Sequence, residues 1–210
     1  GRLFDSQNGR AVEVGDLRSI LTLPGQHNYQ NAAAAYAACR ALGLEATTIM
    51  EAMASFPGLA HRQEVIGRVG DVTFVNDSKA TNGQAAVQAL RSYPKVYWIG
   101  GGVPKSDGLS DVRPYFGHIA KAYLIGEAQQ QFARELGKDV PHVKCASLEL
   151  AVQEALADAR ESGEDDQIVL LSPACASFDQ FKDFEARGEA FRECVSQLMG
   201  QAQNLQASFS

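Results

Sequence analysis

The chain has 210 residues, of which 45% are hydrophobic and 21% are charged, and its formal net charge is −6. These proportions are typical of a folded globular protein, and the acidic balance argues against nucleic-acid binding through clustered lysines and arginines. The sequence has no apolar run near the ~18 residues that a membrane-spanning helix needs.

The N-terminal sequence gives no sign of export. Gly1-Arg2-Leu3-Phe4-Asp5 lacks the basic and apolar regions of a signal peptide, and the first residue is not Met. The four cysteines show no C-x-x-C spacing, so they indicate reduced thiols rather than a zinc or redox site. We therefore expect a cytoplasmic protein, represented here by a fragment or a processed chain.

The first part of the chain predicts short strands followed by two helices. Residues 3–23 read as strands, and Asn8-Gly9 suits a tight hairpin turn. Helices are predicted at about 28–42 and 45–55, ended by glycine and by proline. This part is too small and too helical for a complete domain, and we expect it to be the end of a larger one, with a boundary near residues 57–62.

The second part predicts a Rossmann-like α/β domain. Apolar strands alternate with helices, which favours a mainly parallel sheet with helices on both faces. The polar tail 200–210 is expected to be disordered. Strands are predicted at 64–68, 72–76, 95–99, 120–125, 142–145 and 167–171, and helices at about 83–91, 129–136, 148–160 and 188–198.

The segment 76–82 carries the densest chemistry in the sequence. It lies between a strand and a helix, at the strand end where open α/β sheets bind ligands. Asp77 is suited to accept two hydrogen bonds from a vicinal diol, and Lys79 to pair with a phosphate or a carboxylate. Thr81 or Asn82 is a suitable N-cap. The alternative is a capped helix with a surface charge pair.

Two further segments follow apolar strands. Residues 100–106 form a glycine-rich turn ending in Lys105, a candidate partner for a carboxylate, although the turn does not match a Walker A loop and a plain βα loop is the alternative. Residues 171–181 offer Ser172 and Ser177 hydroxyls. Cys175 lies there too, but the sequence places no base beside it, so a buried structural cysteine is favoured.

Polar residues also mark a helix start and the domain boundary. Asn28 and Asn31 are three residues apart and share one face of the helix, while an N-cap role is the alternative for Asn28. His61 and Arg62 lie in the boundary segment. There Arg62 is a candidate phosphate partner, and a solvated linker is the alternative.

Together these segments resemble the Mur ligase family, whose members are ATP-dependent and add amino acids to a UDP-linked muramoyl precursor. The run Asp77 to Asn82 is the specific piece and is similar to the members that add D-glutamate. The segments carrying the resemblance are Gly25-Gln26-His27-Asn28 with Asn31, Gly58-Leu59-Ala60-His61-Arg62, residues 76–82, Ser172 through Phe184, and Arg187-Gly188.

The resemblance implies that ATP activates a carboxylate of UDP-N-acetylmuramoyl-L-alanine as an acyl phosphate, which the amine of D-glutamate then attacks. It implies that Lys79, a charge stabiliser, and His61 are catalytic. The implied nucleotide contacts are Asn28, Asn31, Arg62 and Asp77. The implied D-glutamate contacts are Thr81 and Ser177 for one carboxylate, Lys105 for the other, and Phe184 along the pocket. Val103-Pro104 departs from the family's pattern, which usually has an acidic or small residue before this lysine.

The family also implies segments that this sequence does not contain: a UDP-sugar domain, a Gly-Lys-Thr phosphate loop, a magnesium-binding Glu and His, and a modified Lys. We therefore expect residues 1–60 to be the C-terminal part of the central ATP-binding domain and residues 61–210 to be the ligase domain. The Mg²⁺ ligands are expected upstream and none here. The chain alone is expected to be inactive, and the full-length protein to be monomeric, without nucleic-acid or membrane partners.

Two other functions stay open on the sequence alone. The chain could be a binding module that keeps affinity for D-glutamate or a nucleotide. It could also be a nucleotide-binding protein with a different chemistry.

Overall fold

The structure, a computed structural model, describes residues 1–7 and 9–207. The chain divides into two compact units, an N-terminal unit (Gly1–Leu59) and a C-terminal unit (Ala60–Ser210). None of the helices in the described ranges is long and apolar enough to cross a membrane.

The N-terminal unit contains a hairpin and two helices. Strands β1 (Arg2–Gln7) and β2 (Arg10–Asp16) pair antiparallel, and helices α1 (Gln26–Ala41) and α2 (Ala46–Ala54) follow. Asn8, on which the predicted tight turn depends, lies outside the described residues. The apolar core of this unit consists of Leu3, Leu17, Ile20, Ala32, Tyr36 and Ile49.

The C-terminal unit is built on one six-stranded sheet with the strand order β3-β4-β8-β5-β6-β7. Strand β3 is antiparallel to β4, and the other five strands run parallel. The strands are β3 (Glu64–Val69), β4 (Val72–Asn76), β5 (Val96–Gly101), β6 (Ile119–Ile125), β7 (His142–Lys144) and β8 (Gln167–Leu171).

Helices cover both faces of this sheet, which confirms the predicted fold class. Alternate residues of β5 show the division: Val96 and Trp98 join the cluster beneath one layer of helices, and Tyr97 and Ile99 join the other. Both faces are therefore apolar, which is why β5 reads as a continuous hydrophobic run. One layer holds α3 (Gly83–Ser92), a 3₁₀ helix (Arg113–His118) and α4 (Gln129–Leu136), and the other holds α5 (Leu148–Glu161) and α6 (Phe184–Ala207).

The C-terminal helix α6 is longer than the sequence indicates. It begins at Phe184 and continues to Ala207, through most of the segment expected to be a disordered tail. Leu198, Met199 and Ala202 are partly buried against the core on this face, so packing extends the helix past the polar residues. Residues 208–210 lie outside the described residues.

Candidate functional site

Three polar segments meet where β4, β8 and β5 end. These strands are adjacent and parallel, so their carboxyl ends lie at one edge of the sheet. The helix that follows β4 lies on one face, and the helix that follows β8 lies on the other, which is the arrangement at which open α/β sheets bind ligands. The three polar segments are those that the sequence marks as candidates, 76–82, 100–106 and 171–181.

Asp77 lies at the centre of this edge and is almost completely buried, with 6% of its surface exposed. Its Oδ1 accepts a hydrogen bond from the Gln63 N–H at 3.2 Å, and its Oδ2 accepts one from the Ser172 hydroxyl at 2.7 Å. Burial raises the pKa of Asp77 to about 7, against the opposing effects of these two bonds and of the nearby Arg62 charge.

Lys79 is held over an aromatic ring. Its Nζ lies 3.8 Å from the centroid of the Phe184 ring, a cation–π contact, and its backbone N–H donates to the His61 carbonyl at 3.0 Å. The structure therefore brings together His61, Lys79 and Phe184, three of the residues that the sequence predicts for the site.

His61 is buried and strained, while its neighbour Arg62 is exposed. The His61 backbone has a φ of 61°, and its Nδ1 lies 3.1 Å from the Asn76 amide nitrogen. A Cβ on Gly188 would lie 2.2 Å from that same Nδ1, so only glycine fits there. The solvated-linker alternative is wrong for His61, because the ring packs into the site.

Arg187 ties the segment after β4 to the segment after β8. Its Nε and Nη2 donate to the Oγ and the carbonyl oxygen of Ser78 at 2.9 and 2.8 Å, and its Nη1 donates to the Cys175 carbonyl at 3.1 Å. Arg187 is 1% exposed, and this burial lowers the pKa of its guanidinium to about 10. The sequence assigns Arg187 no role in the site, although Arg187-Gly188 is one of the segments that carry the family resemblance.

The loop after β5 packs against the segment after β8. The Val103 N–H donates to the Ala176 carbonyl at 2.9 Å, and a Cβ on Gly102 would lie 2.2 Å from that carbonyl oxygen. Lys105 is exposed two residues further on, while Ser177 is buried, 2% exposed. The two residues thus belong to segments that are joined directly.

Thr81 and Cys175 complete the edge. Thr81 is partly buried and precedes Asn82, which caps α3 by accepting the Ala85 N–H at 2.9 Å. Asn82 is therefore the N-cap, one of the two predicted candidates. Burial raises the pKa of the Cys175 thiol to about 12, which keeps it protonated and supports its structural interpretation.

Asn28 and Asn31 lie in the N-terminal unit, in the first turns of α1. The helix begins at Gln26 with Gly25 as its N-cap, so the alternative N-cap role for Asn28 is wrong. The Asn28 side-chain amide instead donates to the Pro24 carbonyl at 2.7 Å, and Asn31 is exposed. Across residues 1–7 and 9–207, no group of three His, Cys, Asp or Glu side chains is arranged to hold a metal ion.

The sequence matches one family of known proteins and individual relatives along most of its length. Residues 61–175 match the family described as "Mur ligase, glutamate ligase domain". The UDP-N-acetylmuramoylalanine–D-glutamate ligases of Caulobacter vibrioides (strain NA1000 / CB15N) and Rhodospirillum rubrum are 58% and 54% identical over 198 residues. Each match covers 94% of this chain but 42% of the relative, so the chain spans less than half of their length.

Solved structures show the same fold at low sequence identity. A pseudomurein peptide ligase type C from Methanothermus fervidus matches with a TM-score of 0.59 at 17% identity, covering 93% of this chain and 39% of that one. MurF ligase from Thermotoga maritima, in complex with ADP, matches with a TM-score of 0.55 at 16% identity, covering 84% and 39%.

Proposed function

The chain belongs to the Mur ligase family, and we propose that it is the C-terminal part of an ATP-dependent ligase joining D-glutamate to UDP-N-acetylmuramoyl-L-alanine. The observation that carries the proposal is the convergence of the segments after β4, β5 and β8 at one sheet edge. Relatives at 54–58% identity that are named for this reaction support the choice of substrate.

The amino-acid site is proposed at the junction of these three segments. Thr81 and Ser177 bind one carboxylate of D-glutamate, and Lys105 binds the other, with Phe184 along the pocket wall. A dicarboxylate needs two separated poles of donors, and hydrogen bonds to charged groups contribute about 1.5–3 kcal/mol each. The direct pairing of Val103 with Ala176 supports this arrangement, because it joins the segments that carry Lys105 and Ser177.

The nucleotide contacts are proposed at Asn28, Asn31, Arg62 and Asp77. Arg62 is exposed, and its charge acts on the Asp77 carboxyl, so a cation suited to phosphate lies near an acceptor suited to ribose hydroxyls. Each carboxylate oxygen of Asp77 accepts one internal hydrogen bond and retains a second lone pair. Arg62 and Asp77 suit the phosphates and the ribose of an adenine nucleotide, which supplies the phosphoryl group that activates the carboxylate substrate as an acyl phosphate.

Lys79 and His61 are the proposed catalytic residues of this chain. The contact of Lys79 with the Phe184 ring holds its ammonium group in one direction, which suits a residue that stabilises negative charge near the reacting groups. The His61 ring is held by its contact with the Asn76 amide and by close packing against Gly188. We assign no step through Mg²⁺ to this chain, since the resemblance to the family implies that most of the Mg²⁺ ligands belong to the central domain of the full-length protein.

In the same proposal, residues 1–60 are the end of the central ATP-binding domain and residues 61–210 are the ligase domain. The full-length protein is, in this proposal, a monomer that acts in the cytoplasm. We expect the chain alone to form no product from ATP, D-glutamate and UDP-N-acetylmuramoyl-L-alanine, because it has no phosphate loop. A phosphate-release assay on the purified chain tests this, and turnover by the chain would contradict it.

The amino-acid site is tested in the full-length ligase. Thr81→Ala and Ser177→Ala are each expected to raise the KM for D-glutamate about 10- to 100-fold, since each removes a hydrogen bond to a carboxylate. Ser162→Ala, at the exposed end of α5, is the matched control and leaves this KM unchanged. An unchanged KM in both site variants would refute the proposed site.

A further inference from the structure

Lys105 lies in a loop whose conformation is set by backbone hydrogen bonds rather than by the lysine side chain. The Gly108 N–H donates to the Lys105 carbonyl at 3.1 Å, which closes a turn, while the lysine side chain is exposed. A long, exposed lysine loses much conformational freedom when it binds a ligand. The position of the loop backbone therefore decides how readily its ammonium group reaches a substrate.

The loop is fixed at its start by Val103. The Val103 N–H donates to the Ala176 carbonyl at 2.9 Å, and Pro104 follows. Proline fixes its own φ and keeps the preceding residue extended, which is the conformation that this pairing requires. The hydrogen bond of Val103 and the ring of Pro104 thus fix the path of the backbone towards Lys105.

The loop is fixed at its far end by Glu135, a residue of α4. Its Oε2 accepts a hydrogen bond from the N–H of the buried Leu109 at 2.6 Å, and its Oε1 accepts one from the Gln131 amide at 2.9 Å. Gly108 has a φ of +53°, and a Cβ there would lie 2.3 Å from Glu135 Oε1, so the carboxylate rests directly against the loop. Residues 103–109 are therefore held from both sides.

We propose that Glu135 is a positioning residue for the dicarboxylic amino-acid substrate. By holding the Leu109 N–H it sets the loop that presents Lys105 to the carboxylate distal from Ser177. Preorganisation of this kind improves affinity because less ordering remains to occur on binding. This inference rests on the proposed function and deepens it, since Glu135 touches no substrate and acts through Lys105.

The test measures kinetics of the full-length ligase with Glu135→Gln. We expect the KM for D-glutamate to rise about 3- to 10-fold, with kcat and the KM values for ATP and the UDP precursor almost unchanged. The neutral amide of glutamine can accept only one of the two hydrogen bonds that the carboxylate accepts from Leu109 and Gln131, and it accepts that bond more weakly. Glu161→Gln, on the exposed end of α5, is the matched control and changes none of these values. A drop in melting temperature together with parallel changes in all constants would instead indicate a general structural role and overturn the inference.

A double-mutant cycle with Lys105→Ala shows whether Glu135 acts through the lysine. We expect Glu135→Gln to have no further effect on the KM for D-glutamate when Lys105 is already alanine. If the two effects add fully, the inference is overturned while the Lys105 assignment stands. If Lys105→Ala alone leaves the KM unchanged, the assignment of Lys105 and the inference both fail. The Thr81 and Ser177 variants test the rest of the site independently.

Discussion

Two opposing effects act on the carboxyl group of Asp77. It is buried, which favours the protonated form, and it accepts hydrogen bonds from Gln63 and Ser172, which favour the ionised form. Burial is the larger effect and raises its pKa to about 7. A group of this kind changes charge close to neutral pH, and the stability of the C-terminal unit must change with it.

The stability should fall as the pH rises, because the pKa of Asp77 is higher in the folded protein than in the unfolded chain. The stabilising contribution of Asp77 is fully present below the unfolded pKa, near 4, and is lost as the pH rises through about 7. The titration of Asp77 should therefore make the free energy of unfolding about 2 kcal/mol lower at pH 8 than at pH 5.5. The Asp77→Asn variant should lack this part of the pH dependence.

Trp98 provides the measurement, because it is the one tryptophan of the chain and is fully buried in the C-terminal unit. Urea denaturation followed by its fluorescence at both pH values gives the comparison. Equal pH dependence in the wild type and in Asp77→Asn would show that Asp77 does not titrate in this range.

Arg187 supports the site in a different way, because its charge is buried without a carboxylate among its hydrogen-bond partners in the described structure. Arg187→Gln is expected to lower the free energy of unfolding by about 2–4 kcal/mol, since the oxygens of Ser78 and Cys175 lose their donors. Denaturation followed by Trp98 fluorescence measures the loss. Arg134→Gln, on the exposed side of α4, should lower the free energy of unfolding much less. Equal losses in the two variants would show that the hydrogen bonds of Arg187 between the two segments are not the cause.

At the scale of single elements, the start of α3 connects the site to the fold. Asn82 caps this helix through the Ala85 N–H. Asn82→Ala should lower the free energy of unfolding by about 1 kcal/mol, and Asn82→Ser should recover most of it, because serine also caps well. Thermal or chemical denaturation tests both, and equal losses for alanine and serine would show that capping is not the cause.

The sequence predicts the ends of a helix or strand correctly where neighbouring residues in the sequence determine them. Strand β4 (Val72–Asn76) and helix α4 (Gln129–Leu136) have the predicted bounds, because a turn or a glycine marks their ends. Helix α6 continues past its predicted end because Leu198, Met199 and Ala202 pack against the core, which the polar local composition does not indicate.

The parts of the site that the sequence does not reveal depend on distant pairings. The Arg187 bond to Ser78 joins residues 109 positions apart, and the Ser172 bond to Asp77 joins residues 95 apart. Polar residues after strands mark Lys79, Thr81 and their neighbours as candidates for the site. They were not enough to predict that β8 inserts between β4 and β5, which is what brings those segments together.

At the scale of the whole molecule, the two units have separate cores of unequal size. Among the described residues, the core of the N-terminal unit contains six buried hydrophobic residues, and that of the C-terminal unit covers both faces of a six-stranded sheet. A unit of about 60 residues with so small a core is marginally stable. The connection between the units, residues 56–59, contains neither helix nor strand, and Leu59 is 55% exposed.

Limited proteolysis tests this difference. We expect thermolysin to cut first near Leu59 or within the N-terminal unit, and to leave a fragment beginning near residue 60 with the fluorescence of buried Trp98. Mass spectrometry identifies the cut. First cuts between residues 64 and 198 would contradict the greater stability of the C-terminal unit.

The strand order of this sheet also limits self-association. One edge is the three-residue strand β7, and the other is β3, whose Glu64 and Arg68 form ion pairs with Arg192 and Asp166. Short or charged edges are poor templates for adding a strand from another molecule. A sheet this apolar at its centre is therefore protected from amyloid-like growth by its two outermost strands.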